Sequence, residues 1–446
     1  MTDLLAAAGV LIVLGSVMII TKLCSKNLTP EISRKIIHIT MGCVALSFPY
    51  IFIYKLSVVF LGAIALAALL FMRSNKVLRE GVGTALLGVT RKSFGEIYFI
   101  ISIVIVFVLH KSAFEYLIPI SVLTFADSAA ALIGTSYGRT NLAQKQEDAK
   151  SSEGSVIFFI VAFLCTLVPL QLMTEIGRAE VLVISFLIGL LAAMIETVST
   201  KGNDNLLLPL LTYSFLRYNS EQPLDMLLAN FVIMLFFLVA IFLVYKITNI
   251  SKLSIVYSLL VAYIIMVQGG MIWIIPPLAL FLTFGILPMM KEEEKKLEQT
   301  YKVVEANSII GVICLWVAVF YPQYRDILYI AFSLSFACLL AVNTYNRFIH
   351  FVKSSKSKAI LCAFAKAIAF IALPTLLFTR MNWVVFALYV MFVAASIPLL
   401  MPLNKKYDYS RAENDTLRAN KILVGSLTAL FALIIMITVK YYDIFR

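Results

Sequence analysis

Apolar stretches of bilayer-crossing length recur almost without pause along this chain of 446 residues. A spanning helix needs about 20 mostly apolar residues. The stretches fall at 4–20, 36–50, 53–71, 97–109, 116–134, 155–172, 181–195, 226–245, 253–267, 271–288, 308–321, 327–342, 359–378, 383–401 and 422–439. Hydrophobic residues make up 61% of the chain and charged residues 14%, against roughly 25% charged in a soluble domain. So few charges cannot cover a water-soluble surface, and the mean hydropathy is +0.95. A transmembrane β-barrel would show alternation in segments of about ten residues, which is absent. The expectation is an all-α, polytopic integral membrane helical bundle of about 14–15 transmembrane helices. It divides into two halves, 1–221 and 222–446.

The formal net charge is +12. The basic residues sit in short loops between apolar stretches, so they read as topology signals and phosphate-binding loops rather than as a nucleic-acid surface. The basic loops 22–35, 73–92, 139–150 and 201–217 share one side if the N-terminus is outside, and the positive-inside rule makes that side the cytoplasm. The rule also makes 347–358 and 405–421 cytoplasmic, which the count of spans does not. One crossing is therefore miscounted between about 200 and 290. Either 205–215 crosses, or 253–288 is one span plus an interfacial piece broken by Gly269-Gly270 and Pro276-Pro277. No basic residue precedes 4–20, so this stretch reads as a first transmembrane helix and not as a signal peptide. The six cysteines form no CxxC or His/Cys cluster, which argues against structural zinc and a disulfide framework.

Four polar patches carry the chemistry, and all fall on the cytoplasmic side by loop charge. The first is Glu31 to His38, in which Arg34 and His38 are four apart and share a helix face. The second is Arg91-Lys92-Ser93-Phe94-Gly95-Glu96. In the third, Asp127 lies inside an apolar stretch, where a carboxylate is costly unless it meets a cation or a polar cavity. Ser128 to Ala131 follow, then Gly134 and Gly138 before Arg139, then Lys150-Ser151-Ser152-Glu153-Gly154-Ser155 at the start of a helix. Small residues allow close approach, and a helix N-terminus offers N–H groups and positive dipole to an anion. Glu153 adds a carboxylate for a metal beside that anion. The fourth patch is Glu196 to Asn205, with a Lys201-Gly202 turn before Asp204-Asn205.

These motifs, in this order, resemble the polyprenol kinase family of phytol and dolichol kinases over about residues 1–220. The matching residues are Arg34-Lys35-Ile36-Ile37-His38, then Asp127-Ser128-Ala129-Ala130 with Gly134 and Tyr137-Gly138-Arg139. Lys150 to Ser155 follow, and finally Glu196, Lys201-Gly202 and Asp204-Asn205. The resemblance implies CTP-dependent transfer of a γ-phosphoryl group to the terminal hydroxyl of an isoprenoid alcohol, with Mg²⁺. On this reading Asp127, Asp204, Lys150, Arg34 and His38 act in catalysis. Gly134, Gly138, Arg139, Lys150, Ser151, Ser152, Glu153, Gly154, Lys201 and Asn205 bind the nucleotide. Asp127, Glu153 and Glu196 hold the metal. The partners are CTP, the alcohol and membrane lipids. The tail lies between helices, and Asp127 or Asp204 takes the hydroxyl proton. Asp127→Asn is expected to remove activity while leaving folding little changed.

Two other readings are open. One is a CDP-lipid-forming cytidylyltransferase, which shares the Asp/Gly/Lys-Ser-Glu-Gly framework. Its His-Gly-Gly and paired aspartates do not follow Lys201. The other is a transporter with Asp127 and Glu196 on an ion path, disfavoured by polar patches gathered on one face. The second half weakly resembles a worn copy of a family whose plant members phosphorylate prenyl monophosphates. Val342-Asn343-Thr344 stands where that family has Ala-Asp-Thr, so this half is expected to be non-catalytic.

Overall fold

The computed structural model describes residues 2–24, 30–77, 94–137, 150–200, 202–247, 252–283, 301–350, 352–379, 381 and 383–400, with eight more between 422 and 434. Helices account for about 90% of it, and no strand occurs among the described residues. Among the described residues, eight helices are long and apolar enough to cross a membrane, and shorter apolar helices lie at Gly95–Leu109, Leu253–Gly269, Val304–Phe320 and Trp383–Leu399. The chain is a multi-pass, all-α membrane protein. It divides into two compact units, Met1–Val232 and Ile233–Arg446.

The first unit contains α1 (Thr2–Cys24), α2 (Pro30–Leu46), α3 (Lys55–Ser74), α4 (Gly95–Leu109), α5 (Ala113–Ser121), α6 (Asp127–Tyr137), α7 (Ser152–Met173), α8 (Arg178–Val198) and α9 (Asp204–Ser220). Helix α10 (Leu224–Ile247) begins here and continues into the second unit. The stretch from Ala113 to Gly134 and α8 form the interior, with 61% and 67% of their central windows buried, whereas α1 has 11%. Helix α7 packs along α8 and α6, and α9 packs against α4, α5 and α8.

Helices α5 and α6 are one rod interrupted by a π-helical turn, Val122–Ala126. Pro119 just before it has no N–H to give the helical ladder, and the ladder widens where the next residues rejoin. Hydroxyls satisfy carbonyls in the widened stretch: Thr124 Oγ1 donates to the Ile120 carbonyl (2.7 Å) and Ser128 Oγ to the Thr124 carbonyl (2.8 Å). Helix α2 comes close enough that a Cβ on Gly42 would lie 2.1 Å from Thr124 Oγ1. Glycine is therefore required where α2 meets the widened turn.

The expected crossing at 205–215 falls inside α9, a helix of 17 residues. The stretch 271–288, expected as a span, opens with a turn after Gly270 and becomes helical at α12 (Ile275–Phe281), with Pro276 at its start; its residues 284–288 lie outside the described residues. The glycine pair breaks the preceding helix α11 (Lys252–Ile264) and its π-helical extension. The second unit continues with α13 (Tyr301–Phe320), α14 (Arg325–His350), α15 (Lys356–Ala367), α16 (Leu373–Thr379) and α17 (Trp383–Leu400). Helix α14 is its axis, in a segment whose central window is 94% buried. Two of its polar side chains find partners on other helices: Ser333 Oγ meets Tyr389 Oη at 2.8 Å and also Thr375 Oγ1, and Asn343 Nδ2 donates to Asn307 Oδ1 at 3.3 Å.

The contact at Gly42 gives a stability prediction. Gly42→Ala should destabilise the detergent-solubilised protein by about 1–3 kcal/mol through overpacking. Adding Thr124→Ala in the same chain should restore most of the loss. Thermal unfolding of the two variants checks this, and an unchanged midpoint for Gly42→Ala would contradict it.

Candidate active site

Five helices of the first unit bring charged side chains to one place. Helix α2 supplies Lys35 and His38, which are three apart and share a face. Lys35 is 5% exposed, and its ammonium pairs with Asp127 Oδ2 at 2.7 Å and donates to the Asp127 carbonyl at 3.3 Å. Asp127 is the first residue of α6, and the π-helical turn before it sets the direction of its carboxylate. His38 Nε2 lies 3.5 Å from Asp127 Oδ2 and 3.2 Å from the Leu123 carbonyl within that turn. A carbonyl can only accept, so Nε2 carries the hydrogen and Nδ1 is the basic nitrogen of the neutral ring. The ring also packs on Phe99, with centroids 4.7 Å apart.

The second part of the cluster lies where α7 begins, α8 ends and α9 begins. Lys150 Nζ pairs with Glu196 Oε1 at 2.6 Å, donates to the Glu196 carbonyl, and lies 3.7 Å from Asp204 Oδ2. Burial alone would lower the Lys150 pKa, but the charges of Glu196 and then Asp204 outweigh it and hold the ammonium above its ordinary range. Its charge is therefore present throughout the neutral range. Any stability it contributes is complete below the unfolded-state pKa and disappears only as pH rises through the raised folded value. Asp204 is aimed here by a tight turn after α8, in which Gly202 adopts φ +85°. An L side chain there would be strained.

Asp127, Glu196 and Asp204 each offer a carboxylate oxygen, and these oxygens lie within 4.8 Å of one another. This is the one such group of three His, Cys, Asp or Glu ligands among the described residues. The three carboxylates outnumber the two ammonium groups of Lys35 and Lys150, so the cluster is electrostatically suited to a cation. Glu196 Oε2 is buried with no hydrogen-bond partner, and such an orphan costs about 1–3 kcal/mol or more unless something fills its coordination. Oxygens on opposite sides of a Mg²⁺ are about 4.2 Å apart. The donor set, its spacing and the orphan oxygen all fit a divalent metal.

The nucleotide-binding candidates divide. Ser151 caps α7, its Oγ accepting the Gly154 N–H at 3.1 Å. Gly154 and Gly134 face each other where α7 crosses α6, and a Cβ on Gly154 would lie 3.6 Å from Gly134 Cα and 3.2 Å from the Ala130 carbonyl. Ser152 Oγ donates to Glu153 Oε2 at 3.2 Å. Glu153 is not one of the three clustered carboxylates, and Asp204 is. Asn205 Nδ2 donates to the Gly95 carbonyl at 2.9 Å, so it ties α9 to α4. Gly138, Arg139 and Lys201 lie outside the described residues. Lys35 escaped the expected list because Arg34, one residue earlier, takes the four-residue spacing to His38. The three-residue spacing from Lys35 was the available signal.

A crevice of about 220 Å³ opens beside the cluster. Its polar end carries Arg34, His38, Glu96 and Asn205. Glu96 is paired with Arg73 at 2.6 Å, joining the end of α3 to the start of α4. The rest of the wall is apolar, and it adjoins a narrower cleft of about 50 Å³ between α1, α2, α3 and α4. His38 is therefore common to the charged cluster and the crevice.

No family model matches the chain, and no solved structure matches it. Among curated proteins it is similar to one described as phytol kinase from Synechocystis sp.. The two are 32% identical over 205 residues, which cover 44% of this chain and 84% of that protein.

The Lys35–Asp127 pair changes what Asp127→Asn should do. Removing one partner of a buried pair leaves the other charge uncompensated, at a cost of about 3–5 kcal/mol. The variant should thus be destabilised rather than fold almost normally. Lys35→Met in the same chain should recover much of that stability. The measurement is the thermal midpoint of the single and double variants in detergent, and equal midpoints for Asp127→Asn and the parent would refute the pairing.

Proposed function

The chain belongs to the polyprenol/phytol kinase-like family, and from that premise we propose that it is a CTP-dependent isoprenoid-alcohol kinase. It transfers the γ-phosphoryl group to the terminal hydroxyl of the alcohol at the cytoplasmic face of the membrane. The observation that carries the reading is the convergence of Asp127, Glu196 and Asp204 beside Lys150 and Lys35. Phosphoryl transfer asks a protein mainly for positioning and for neutralisation of charge.

Asp127, Glu196 and Asp204 would hold Mg²⁺, which when bound offsets charge on the triphosphate oxygens. Lys150 stays protonated and adds a fixed positive charge on the same side. The first turn of α7 presents its dipole and N–H groups to phosphate, with Ser151, Ser152, Glu153 and Gly154 forming that turn. Gly134, Gly138, Arg139, Lys201 and Asn205 complete the proposed nucleotide surface, and Arg34 adds a cation at the acceptor side. The alcohol hydroxyl gives its proton to His38 Nδ1. Its oxygen bonds to the γ-phosphorus as the bond to the bridging oxygen breaks, and CDP leaves. Asp127, 3.5 Å from Nε2, steadies the imidazolium that forms. Asp127 thus serves His38, Lys35 and the metal, and the proton goes to the ring instead of to a carboxylate. The second unit supplies no part of this chemistry.

The test is incubation of membranes containing the protein with CTP labelled at the γ or the α position, together with a prenol. Only γ-label should reach lipid, whereas α-label in lipid would indicate a CDP-lipid-forming cytidylyltransferase. Glu196→Gln and Asp204→Asn should each lower turnover by about 10²-fold or more. Asn343→Ala, in the second unit, should leave turnover within a few-fold of the parent. Loss of all activity in a well-folded Asn343→Ala protein would place chemistry in the second unit.

A further inference from the structure

The crevice has a defined length. Met72 lines its polar end and Val58 its far end, and both belong to α3. At 1.5 Å per helical residue, the two positions are about 21 Å apart. Phe48 and Val58, 6% and 1% exposed, stand at the far end. Phe48 packs edge-on against Phe52 and Phe107, and Phe107 against Tyr116, so this end is backed by a packed aromatic group. Ala65 lies between the two ends, lines both the crevice and the narrower cleft, and is half-buried. It is the smallest of the five side chains that line both spaces, with Leu14, Met41, Phe99 and Ile100.

We infer that this crevice holds the hydrocarbon tail of the acceptor alcohol, and that Ala65 and the Phe48–Val58 end set the tail length the enzyme accepts. The inference rests on the isoprenoid-alcohol kinase reading. A four-unit prenol has a main chain of about 16 carbons, about 19 Å when extended at ordinary C–C lengths and angles. That length is close to the distance between Met72 at the polar end and Val58 at the aromatic end. A two-unit prenol would leave the narrower cleft empty, and a six-unit prenol would overrun Phe48. The wall offers no polar group along this path, and the polar groups at its mouth are next to the ring that would receive the hydroxyl proton.

The experiment uses the full chain in lipid nanodiscs with γ-labelled CTP and prenols of two, four and six units. The four-unit alcohol should have the highest kcat/KM. Ala65→Phe should lower the ratio of kcat/KM for the four-unit over the two-unit alcohol at least about tenfold, the scale on which an obstructed apolar pocket discriminates. Ala65→Leu should lower it less, and serves if the phenylalanine variant does not fold. An unchanged ratio in a folded variant overturns the inference. A four-unit prenol carrying a diazirine at its tail end should cross-link near Phe48, Val58 or Val104, and cross-links elsewhere would also overturn it. If the parent protein phosphorylates no prenol, the kinase reading falls, and the cross-linking pattern alone then decides whether the crevice takes the tail.

Discussion

The ion pair between Lys35 and Asp127 is the interaction around which the first unit is organised. Each charge would be untenable alone in so apolar a setting. Together they roughly break even, because the desolvation of two ions offsets most of their attraction. Such a pair is weak evidence for stability, and its value lies in what it positions. It fixes the carboxylate beside His38 and within reach of Glu196 and Asp204. Several local features serve that placement. Pro119 and the π-helical turn aim Asp127, Gly42 lets α2 approach Thr124, Ser151 starts α7 beside Lys150, and Gly202 turns the chain so that Asp204 faces inward.

Much of the helical framework was legible in hydropathy, since a chain with 14% charged residues has to bury its backbone in helices. The errors fall where local backbone events override an apolar pattern. The stretch 271–288 is apolar enough to span, yet its first residues form a turn after Gly270 and its helix begins only at Ile275, with Pro276 in the first turn. Within the candidate site, the convergence of Lys35, His38, Asp127, Lys150, Glu196 and Asp204 draws on the first, third and fourth patches, each with a polar side chain where an apolar one would be cheaper, while Arg91, Lys92 and Ser93 of the second lie outside the described residues. Which residue did what was less legible. Arg34 and His38 share a face by spacing, but Lys35 meets Asp127 because the widened turn rotates α6 relative to α5. Glu153 is close to Lys150 in sequence, and Asp204 is 54 residues away from it, yet the pair at 3.7 Å is the one with Asp204. Only tertiary packing brings that carboxylate in.

The two units use their buried polar groups differently. In the second, Ser333, Thr375, Tyr389, Asn307 and Asn343 pair as neutral groups along and beside α14. Neutral networks satisfy donors and acceptors at modest cost and specify how helices register. In the first, the three carboxylates of Asp127, Glu196 and Asp204 gather around the two ammonium groups of Lys35 and Lys150. A protein retains that kind of imbalance where another charged species is to be received.

The charge pairs among the described residues of the first unit join segments far apart in sequence, and this has a consequence for biogenesis. Lys35 and Asp127 are 92 residues apart, and Lys150 and Glu196 are 46 apart. During synthesis each helix must enter the bilayer before its partner exists. Insertion scales charge roughly 2.5–3.5 kcal/mol for a lone Lys or Asp at a helix centre. Helix α8 meets that cost with its charges placed toward its ends, whereas Asp127 lies inside the apolar span that runs from Ala113 to Gly134. Helix α2 has only Pro30 to Leu46, with Arg34, Lys35 and His38 in its first half. Its stable seating must then wait for the segment bearing Asp127 to be made. Helix α2 is thus poised to be a late-settling element, seated only once α6 with Asp127 has been made.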